Sequence, residues 1–187
     1  MPRDRETPGS TEANVRIRGR GPGVTGVRDA VHIRAPLPAD HLEIAALIES
    51  LLPRYLAREL TAEGIAIIRE NAQPGLIGAR LGGLMQPVWS PAFVAVAGSR
   101  IIGLGAVRDD THITQLQVAE DWHGRGIGHR LAAALIAEIR RRHPRARAVT
   151  LNASAAGLLS YLRMGFTPIG PREHWHGIVA QPMEIRI

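Results

Sequence analysis

Apolar and polar residues follow their clearest pattern in the C-terminal half of the chain. Two apolar runs, residues 92–97 and 101–107, flank a short Gly-containing turn and predict a β-hairpin. After a further turn, residues 111–118 predict a third antiparallel strand. Apolar residues at helical spacing then predict an amphipathic helix over residues 126–142, which ends in three arginines.

Alternating strands and helices continue to the C-terminus. Residues 148–152 predict a strand, and residues 154–164 predict a short helix that Gly165 ends. Residues 166–170 and 179–187 are typical of two final strands. This order of elements predicts a mixed α/β sheet.

The N-terminal half gives weaker patterns. Residues 30–34 predict a strand, followed by a helix that begins near residue 40 and that Pro53 interrupts. A second helix is predicted near Thr61. Residues 77–84 lie in a Gly- and Pro-rich region and fit either a helix end or a strand.

Composition divides the chain into a tail and one domain. The chain has 187 residues, 45% of them hydrophobic, which is enough for one buried core. Residues 1–29 have almost no apolar periodicity and predict a disordered basic tail, so the domain spans residues 30–187. Three arginines in the tail, Arg16, Arg18 and Arg20, leave a nucleic-acid-binding arm as an alternative.

Charge and cysteine content narrow the partners and the compartment. The net charge of +6 is carried by arginine without any lysine and favours anionic partners, including a phosphate-bearing cofactor. The absence of cysteine excludes disulfides, thiolate metal sites and a cysteine nucleophile. No apolar run of about 18 residues and no signal-peptide core are present, so we expect a cytoplasmic protein without a membrane segment.

Residues 118–131 join a strand end, a glycine-dense turn and the start of a helix. Gly124, Gly126 and Gly128 occupy alternate positions, where the missing Cβ lets a ligand approach the backbone. The first N–H groups of the following helix have no intrahelical partner and favour an anion such as phosphate. A P-loop is excluded, because His129 and Arg130 stand where it needs Lys followed by Ser or Thr. A dinucleotide-binding turn is disfavoured, because antiparallel strands precede this one.

Two motifs give the chain a close resemblance to the GCN5-related N-acetyltransferase (GNAT) family. Residues 118–128 resemble its acetyl-CoA motif, Arg/Gln-x-x-Gly-x-Gly/Ala, although His123 stands in place of the usual Arg or Gln. Downstream, Asn152 at a strand end and the Tyr-x-x-x-Gly-Phe segment that begins at Tyr161 resemble the family's second coenzyme-binding region. The resemblance covers roughly residues 30–187.

The resemblance implies an α/β (α+β) fold with a mixed, mostly antiparallel sheet of about six or seven strands and about four flanking helices. A splayed pair of strands, one ending at Val118 and the other formed by residues 148–152, would form the acetyl-CoA cleft. Freed N–H groups near Gln117 and Val118 would polarise the acetyl carbonyl. Arg125 and Arg130 are the nearest side chains that could add charge at the pyrophosphate. The residues implied in coenzyme binding are Gln117, Val118, His123, Gly124, Arg125, Gly126, Ile127, Gly128, His129 and Asn152.

Two residues are candidates for proton transfer in acetylation of a primary amine. Tyr161 would act as the general acid that protonates the departing thiolate, the alternative being a tyrosine that only packs over the coenzyme. His112 would act as the general base, with ordered water as the alternative. The period of two along a strand places His112 on one face with Thr114, Leu116 and Val118.

The acceptor is predicted to be an amine of a small molecule or a peptide, rather than nucleic acid. Trp175, Tyr55, Glu59 and Glu63 are candidates for its pocket. His174 and His176 lack a nearby third ligand, so no metal site is predicted. A CoA-binding or basic nucleic-acid-associated module without turnover remains the alternative function, and a homodimer is left open.

Overall fold

The computed structural model describes residues 30–56, 60–82 and 88–187, without the side chains of residues 54–56 and 175. The predicted tail at 1–29 lies outside the described residues. The helices are α1 (His41–Leu56), α2 (Ala62–Asn71), α3 (Pro74–Gly82), α4 (Ile127–Arg142) and α5 (Ala155–Arg163). The strands are β1 (Val31–Arg34), β2 (Ala92–Ala97), β3 (Arg100–Arg108), β4 (His112–Val118), β5 (Ala148–Ala153), β6 (Thr167–Pro168), β7 (Glu173–Trp175) and β8 (Ile178–Arg186).

The strands form one mixed sheet in the order β1-β2-β3-β4-β5-β8-β6, and β7 pairs with β8. Neighbouring strands are antiparallel except for β4 and β5, which run parallel. The predicted mixed, mostly antiparallel architecture is therefore confirmed. Eight strands and five α-helices are found in the described part of the chain, one strand and one helix more than expected.

Helices cover both faces of the sheet at β3, whose residues from Ile101 to Val107 are all buried. Gly103 and Gly105 face α4, because an added Cβ would lie 2.9 Å and 3.0 Å from the Cδ1 atoms of Leu131 and Leu135. The alternate residues of β3 point to the opposite face, where α1 packs against this strand. The sheet is thus sandwiched between α4 on one face and α1 on the other.

β4 separates from β5 after a short parallel contact. Only His112 and Ile113 of β4 pair with β5. Directly afterwards, the pairing of β4 with β3 shifts by one residue, so that Thr114 is the extra residue of a β-bulge. A bulge bends the strand that contains it. The predicted splayed pair is confirmed, and the bulge lies where the two strands part.

The predicted interruption at Pro53 is wrong, since α1 continues to Leu56. Pro53 removes one hydrogen bond near the end of the helix, on the side exposed to solvent. The opposite side buries the aliphatic side chains of Leu47, Ile48, Leu51 and Leu52. Burial of each such side chain stabilises by roughly 1.5–3 kcal/mol, which offsets the lost hydrogen bond.

Two other regions differ from the prediction. The region left open between a helix end and a strand is helical, as α3. The strand predicted over residues 166–170 shrinks to β6, and the unpredicted β7 forms a hairpin with β8. Pro168, Gly170 and Pro171 limit regular strand pairing there.

Candidate functional site

A cavity of 420 Å³ occupies the gap that opens where β4 leaves β5. Its walls come from the end of β4, the glycine turn, the first turn of α4 and one side of α5. Nine of the twelve predicted site residues line it: Gln117, Val118, His123, Gly124, Gly126, Ile127, Gly128, His129 and Tyr161. We name this space the smaller cavity.

The glycines of the turn have different structural roles. Gly124 and Gly126 have φ angles of +74° and +75°, which side chains other than glycine adopt only with strain. Gly128 has no such φ angle, and a Cβ there would lie 3.5 Å from Met164 Cε and 3.7 Å from Val118 Cγ2. The backbone conformation therefore does not require glycine at position 128, and a Cβ there would fit at ordinary contact distance in the wall of the smaller cavity.

The first turn of α4 presents unpaired N–H groups to the smaller cavity. The first intrahelical bond runs from the Arg130 N–H to the Gly126 carbonyl at 3.0 Å. The N–H groups of Ile127, Gly128 and His129 precede it and have no intrahelical acceptor. Together with the positive end of the helix dipole, they form a site suited to a phosphate.

Backbone direction at the end of β4 also favours a ligand in the gap. The Ala119 N–H donates to the Ile102 carbonyl of β3 at 2.8 Å. Because successive N–H groups of a strand point to opposite edges, that of Val118 points into the gap and that of Gln117 points to β3. Of the two amides expected to face the ligand, only that of Val118 therefore has the required direction.

His123 contacts the strand end that forms the gap. Its Nε2–H donates to the Val118 carbonyl oxygen at 2.7 Å. The side chain at the position where the resemblance leads us to expect Arg or Gln thus holds the end of β4 to the glycine turn. This contact fixes the imidazole with its proton on Nε2.

Three arginines near the smaller cavity point in different directions. Arg125 stacks on the Trp122 ring, with its guanidinium carbon 4.6 Å from the ring centroid. Arg130, expected near the pyrophosphate, instead donates to the Val31 carbonyl of β1 at 2.9 Å. Arg163 on α5 lines the cavity directly and was not predicted. The cationic side chain in the wall is therefore Arg163, with the Arg125–Trp122 pair beside it.

Tyr161 lies on the cavity side of α5. Its ring packs edge-on against Phe166, with centroids 6.1 Å apart and planes at 74°. Gly157, one turn earlier, makes room for it, since a Cβ there would lie 2.8 Å from Tyr161 Cε2. The ring is thus held from two sides next to the smaller cavity.

A second cavity, of 700 Å³, lies on the other side of the gap and is named the larger cavity. Its walls come from α1, α2, α3, β4, the end of β5 and the β7–β8 hairpin. Gln117 and Ser154 line both cavities, so the two spaces meet at these residues. Two reactants entering from opposite sides would meet there.

His112 lines the larger cavity and not the smaller one. The prediction that it shares a face with Leu116 and Val118 is wrong, because the extra residue Thr114 reverses the alternation along β4. His112 Nδ1 lies 2.9 Å from Thr150 Oγ1. Burial, and then the Arg108 charge, lower the pKa of His112, while Asp109 opposes the shift.

Asn152 also lines the larger cavity, although the sequence placed it in the coenzyme site. It pairs with Pro182 in β8 and is separated by one residue from Ser154. Its contact with the coenzyme stays a prediction.

The acceptor-pocket candidates are only partly described. The predictions for Glu59 and for the side chains of Tyr55 and Trp175 lie outside the described residues. Glu63 accepts a hydrogen bond from His176 Nδ1 at 3.0 Å, on an exposed surface. This contact joins α2 to the β7–β8 turn.

Several residues of the smaller cavity were missed by sequence reasoning. Gly157, Ser160 and Met164 follow one another at intervals of three and four residues, and Gly157 and Met164 lie four and three residues from Tyr161. That helical spacing is a signal that could have found them. Arg80 and Trp89, in contrast, come to the larger cavity from separate segments, and no local pattern indicates this.

A family model described as an acetyltransferase (GNAT) domain matches residues 88–187. The fold is similar to that of a GCN5-related N-acetyltransferase from Rhodopseudomonas palustris, with a TM-score of 0.70 and 21% identity over 86% of this chain and 98% of that one. No curated protein matches the chain.

Two further solved structures share the fold. The PaiA N-acetyltransferase from Thermoplasma acidophilum, solved in complex with coenzyme A, has a TM-score of 0.70 and 16% identity over 84% of this chain and 99% of that one. The ribosomal-protein-S18-alanine N-acetyltransferase from Escherichia coli has a TM-score of 0.56 and 15% identity over 84% of this chain and 94% of that one.

Among the described residues, none of the helices is long and apolar enough to cross a membrane.

Proposed function

Because the chain belongs to the GNAT acetyltransferase family, we propose that it transfers an acetyl group from acetyl-CoA to a primary amine of a small molecule or peptide. The observation that carries this proposal is the meeting of two cavities at Gln117 and Ser154, where β4 leaves β5. The smaller cavity takes the coenzyme and the larger one takes the amine.

The walls of the smaller cavity fit the coenzyme. The N–H groups of Ile127, Gly128 and His129 are suited to the pyrophosphate. Arg163 supplies a positive charge in the wall. The N–H of Val118 points into the gap, where it can hydrogen-bond the acetyl carbonyl oxygen.

Acetyl-CoA supplies an acyl carbon that accepts the amine nitrogen as the carbon–sulfur bond breaks. The nitrogen must first lose a proton, because an ammonium has no lone pair. His112 faces the amine's cavity with a lowered pKa, so its imidazole is neutral at pH 7 and takes this proton, directly or through water. Tyr161 faces the coenzyme's cavity and donates its hydroxyl proton to the departing thiolate, and the second proton that the nitrogen loses on forming the amide returns to the Tyr161 oxygen.

Release of free CoA thiol from acetyl-CoA in the presence of a panel of primary amines tests this function. We expect thiol release that depends on the amine, and a product that gains one acetyl group by mass spectrometry. Gly126→Ala, which strains the turn at a φ of +75°, should reduce the release. Its control is Gly98→Ala, which carries similar strain at +59° in the β2–β3 turn and lies outside both cavities.

The alternative is a coenzyme-binding module without turnover. Thermal stabilisation by CoA with no thiol release from any amine would favour that alternative. Absence of both effects would contradict the proposed coenzyme site as well.

A further inference from the structure

Arg80 on α3 is a cation in the wall of the larger cavity. Its guanidinium carbon lies 5.2 Å from the centroid of the Trp89 ring, and its Nη2 donates to Asn71 Oδ1. Trp89 is buried, with 3% of its surface exposed. Both partners are neutral, and they hold the planar group in place without compensating its charge.

Among the described residues, Arg80 forms no ion pair. Burial lowers its pKa, and the Glu70 carboxylate only partly offsets this effect. A guanidinium has five N–H donors, and the side chain of Asn71 uses one. The remaining donors favour an anionic group in the cavity, because a partly buried cation gains most from an opposite charge.

The other charged residues of the larger cavity do not remove this preference. Arg108 already lies 3.5 Å from Asp109. Glu173 lines the cavity from the exposed strand β7, and His112 is neutral at pH 7. Arg80 is therefore the partly buried charge of this cavity that favours an anionic group on a bound molecule.

Gln117 provides the second contact point, where the two cavities meet. Its Oε1 atom is buried and has no hydrogen-bond partner among the described residues. A buried amide oxygen without a donor is costly, by about 1–3 kcal/mol. Oε1 has no accessible surface in this conformation, so a primary amine at the junction reaches it once the Gln117 amide turns toward the cavity. The amine then donates one N–H to Oε1 while the nitrogen lone pair points to the acyl carbon.

Building on the proposed function, we propose that the acceptor is a primary amine that also carries a carboxylate, as in an amino acid. The carboxylate binds the Arg80 guanidinium, and the amine N–H donates to Gln117 Oε1. Arginine binds a carboxylate through two parallel hydrogen bonds, which also orients the ligand. The same cation disfavours polyamines, whose additional ammonium groups it repels.

Paired substrates test this preference. Glycine, alanine, phenylalanine and glutamate are each compared with their amides, and spermidine serves as the polyamine. The rate of thiol release is measured at saturating acetyl-CoA. We expect kcat/KM for the acids to exceed that for the amides by about ten- to a hundred-fold, the size expected for a charged hydrogen bond. Equal or higher values for the amides or for spermidine overturn the proposal.

Variants assign the preference to Arg80. Arg80→Gln should remove the difference between acids and amides through a higher KM for the acids, with the KM for acetyl-CoA unchanged. Arg80→Lys keeps the charge and should keep part of the difference, which separates lost recognition from lost folding. Arg69→Gln, at an exposed position on α2 that lines neither cavity, is the matched control and should behave as the unchanged protein.

A binding measurement separates this proposal from the proposed function. With CoA bound, the acids should raise Tm and the amides should not, and Arg80→Gln should lose the effect even if no amine is acetylated. Stabilisation by acids without thiol release would contradict the enzyme function alone. Stabilisation by none of the acids, or by acids and amides alike, would contradict the substrate class alone.

Discussion

Replacing Gly128 with alanine should stabilise the free protein, and replacing it with leucine should weaken its binding of coenzyme A. Gly128 is the second residue of α4, has no positive φ angle, and an added Cβ would lie at ordinary contact distance, 3.5 Å, from Met164 Cε. Nothing in the free protein opposes the substitution. Because glycine in a helix costs roughly 0.5–1 kcal/mol relative to alanine, the free energy of unfolding should rise by up to that amount. The corresponding rise in Tm is about 1–4 °C.

The acetyl-CoA motif accepts Gly or Ala at the position of Gly128, so a methyl group alone should leave Kd for coenzyme A nearly unchanged. A leucine side chain, in contrast, occupies space that the pyrophosphate needs, because a phosphate oxygen must come to about 2.9 Å from the N–H groups of the first turn of α4 to accept hydrogen bonds. We therefore expect Kd for coenzyme A to rise at least about ten-fold in Gly128→Leu, or about 1.4 kcal/mol. Calorimetric titration gives Kd, and thermal unfolding without ligand gives the stability.

Gly75→Ala and Gly75→Leu are the matched controls. Gly75 is the second residue of α3, is exposed, and a Cβ there would meet no atom within 4 Å. It lines neither cavity. Gly75→Ala should gain similar stability, and both controls should keep the original Kd. Unchanged Kd in Gly128→Leu, or an equal loss in Gly75→Leu, would contradict this placement of the pyrophosphate.

Three further predictions concern the proton-transfer residues and the larger cavity. His112→Gln should abolish the acidic limb of the pH profile of kcat/KM. Because the pKa of His112 is lowered, this limb lies below the ordinary 6.5, and activity is lost as the imidazole protonates. An acidic limb that persists in the variant contradicts the role of His112 as the base. Tyr161→Phe should reduce kcat about 10²-fold while Kd for coenzyme A changes little, and an unchanged kcat rules out the acid role. In Gly177→Ala, a Cβ at a φ of +73° would lie 1.8 Å from Thr61 Oγ1. Tm should therefore fall and KM for the amine should rise, while the affinity for coenzyme A stays unchanged. A parallel loss of coenzyme affinity argues against two separate cavities.

Local patterns predict the elements that carry the coenzyme site. The hairpin β2–β3, the strand β4 and the helix α4 follow from apolar periodicity, and all three are confirmed close to their predicted bounds. The glycine turn is also predictable from the local sequence, because φ angles of +74° and +75° at Gly124 and Gly126 require a residue without a Cβ. Chemistry that depends on contiguous residues is therefore readable from the sequence.

Features that depend on long-range pairing are not predictable in this way. The bulge at Thr114 arises from the match between β3 and β4, and it moves His112 to the opposite face from the one that simple alternation predicts. The contact of Arg80 with Trp89 joins α3 to a segment before β2, and the common wall at Gln117 exists only because β4 leaves β5. The acceptor side of the site is built almost entirely from such contacts.

The central claim is that the coenzyme lies in the gap between β4 and β5 and meets the amine at Gln117. A crystal structure of the protein with coenzyme A bound tests this most directly. We expect pyrophosphate oxygens on the N–H groups of Ile127, Gly128 and His129, the thiol end beside Val118, and an open larger cavity that reaches the thiol end at Gln117. Coenzyme A bound outside this gap, or with its thiol end turned away from Val118, would contradict the account.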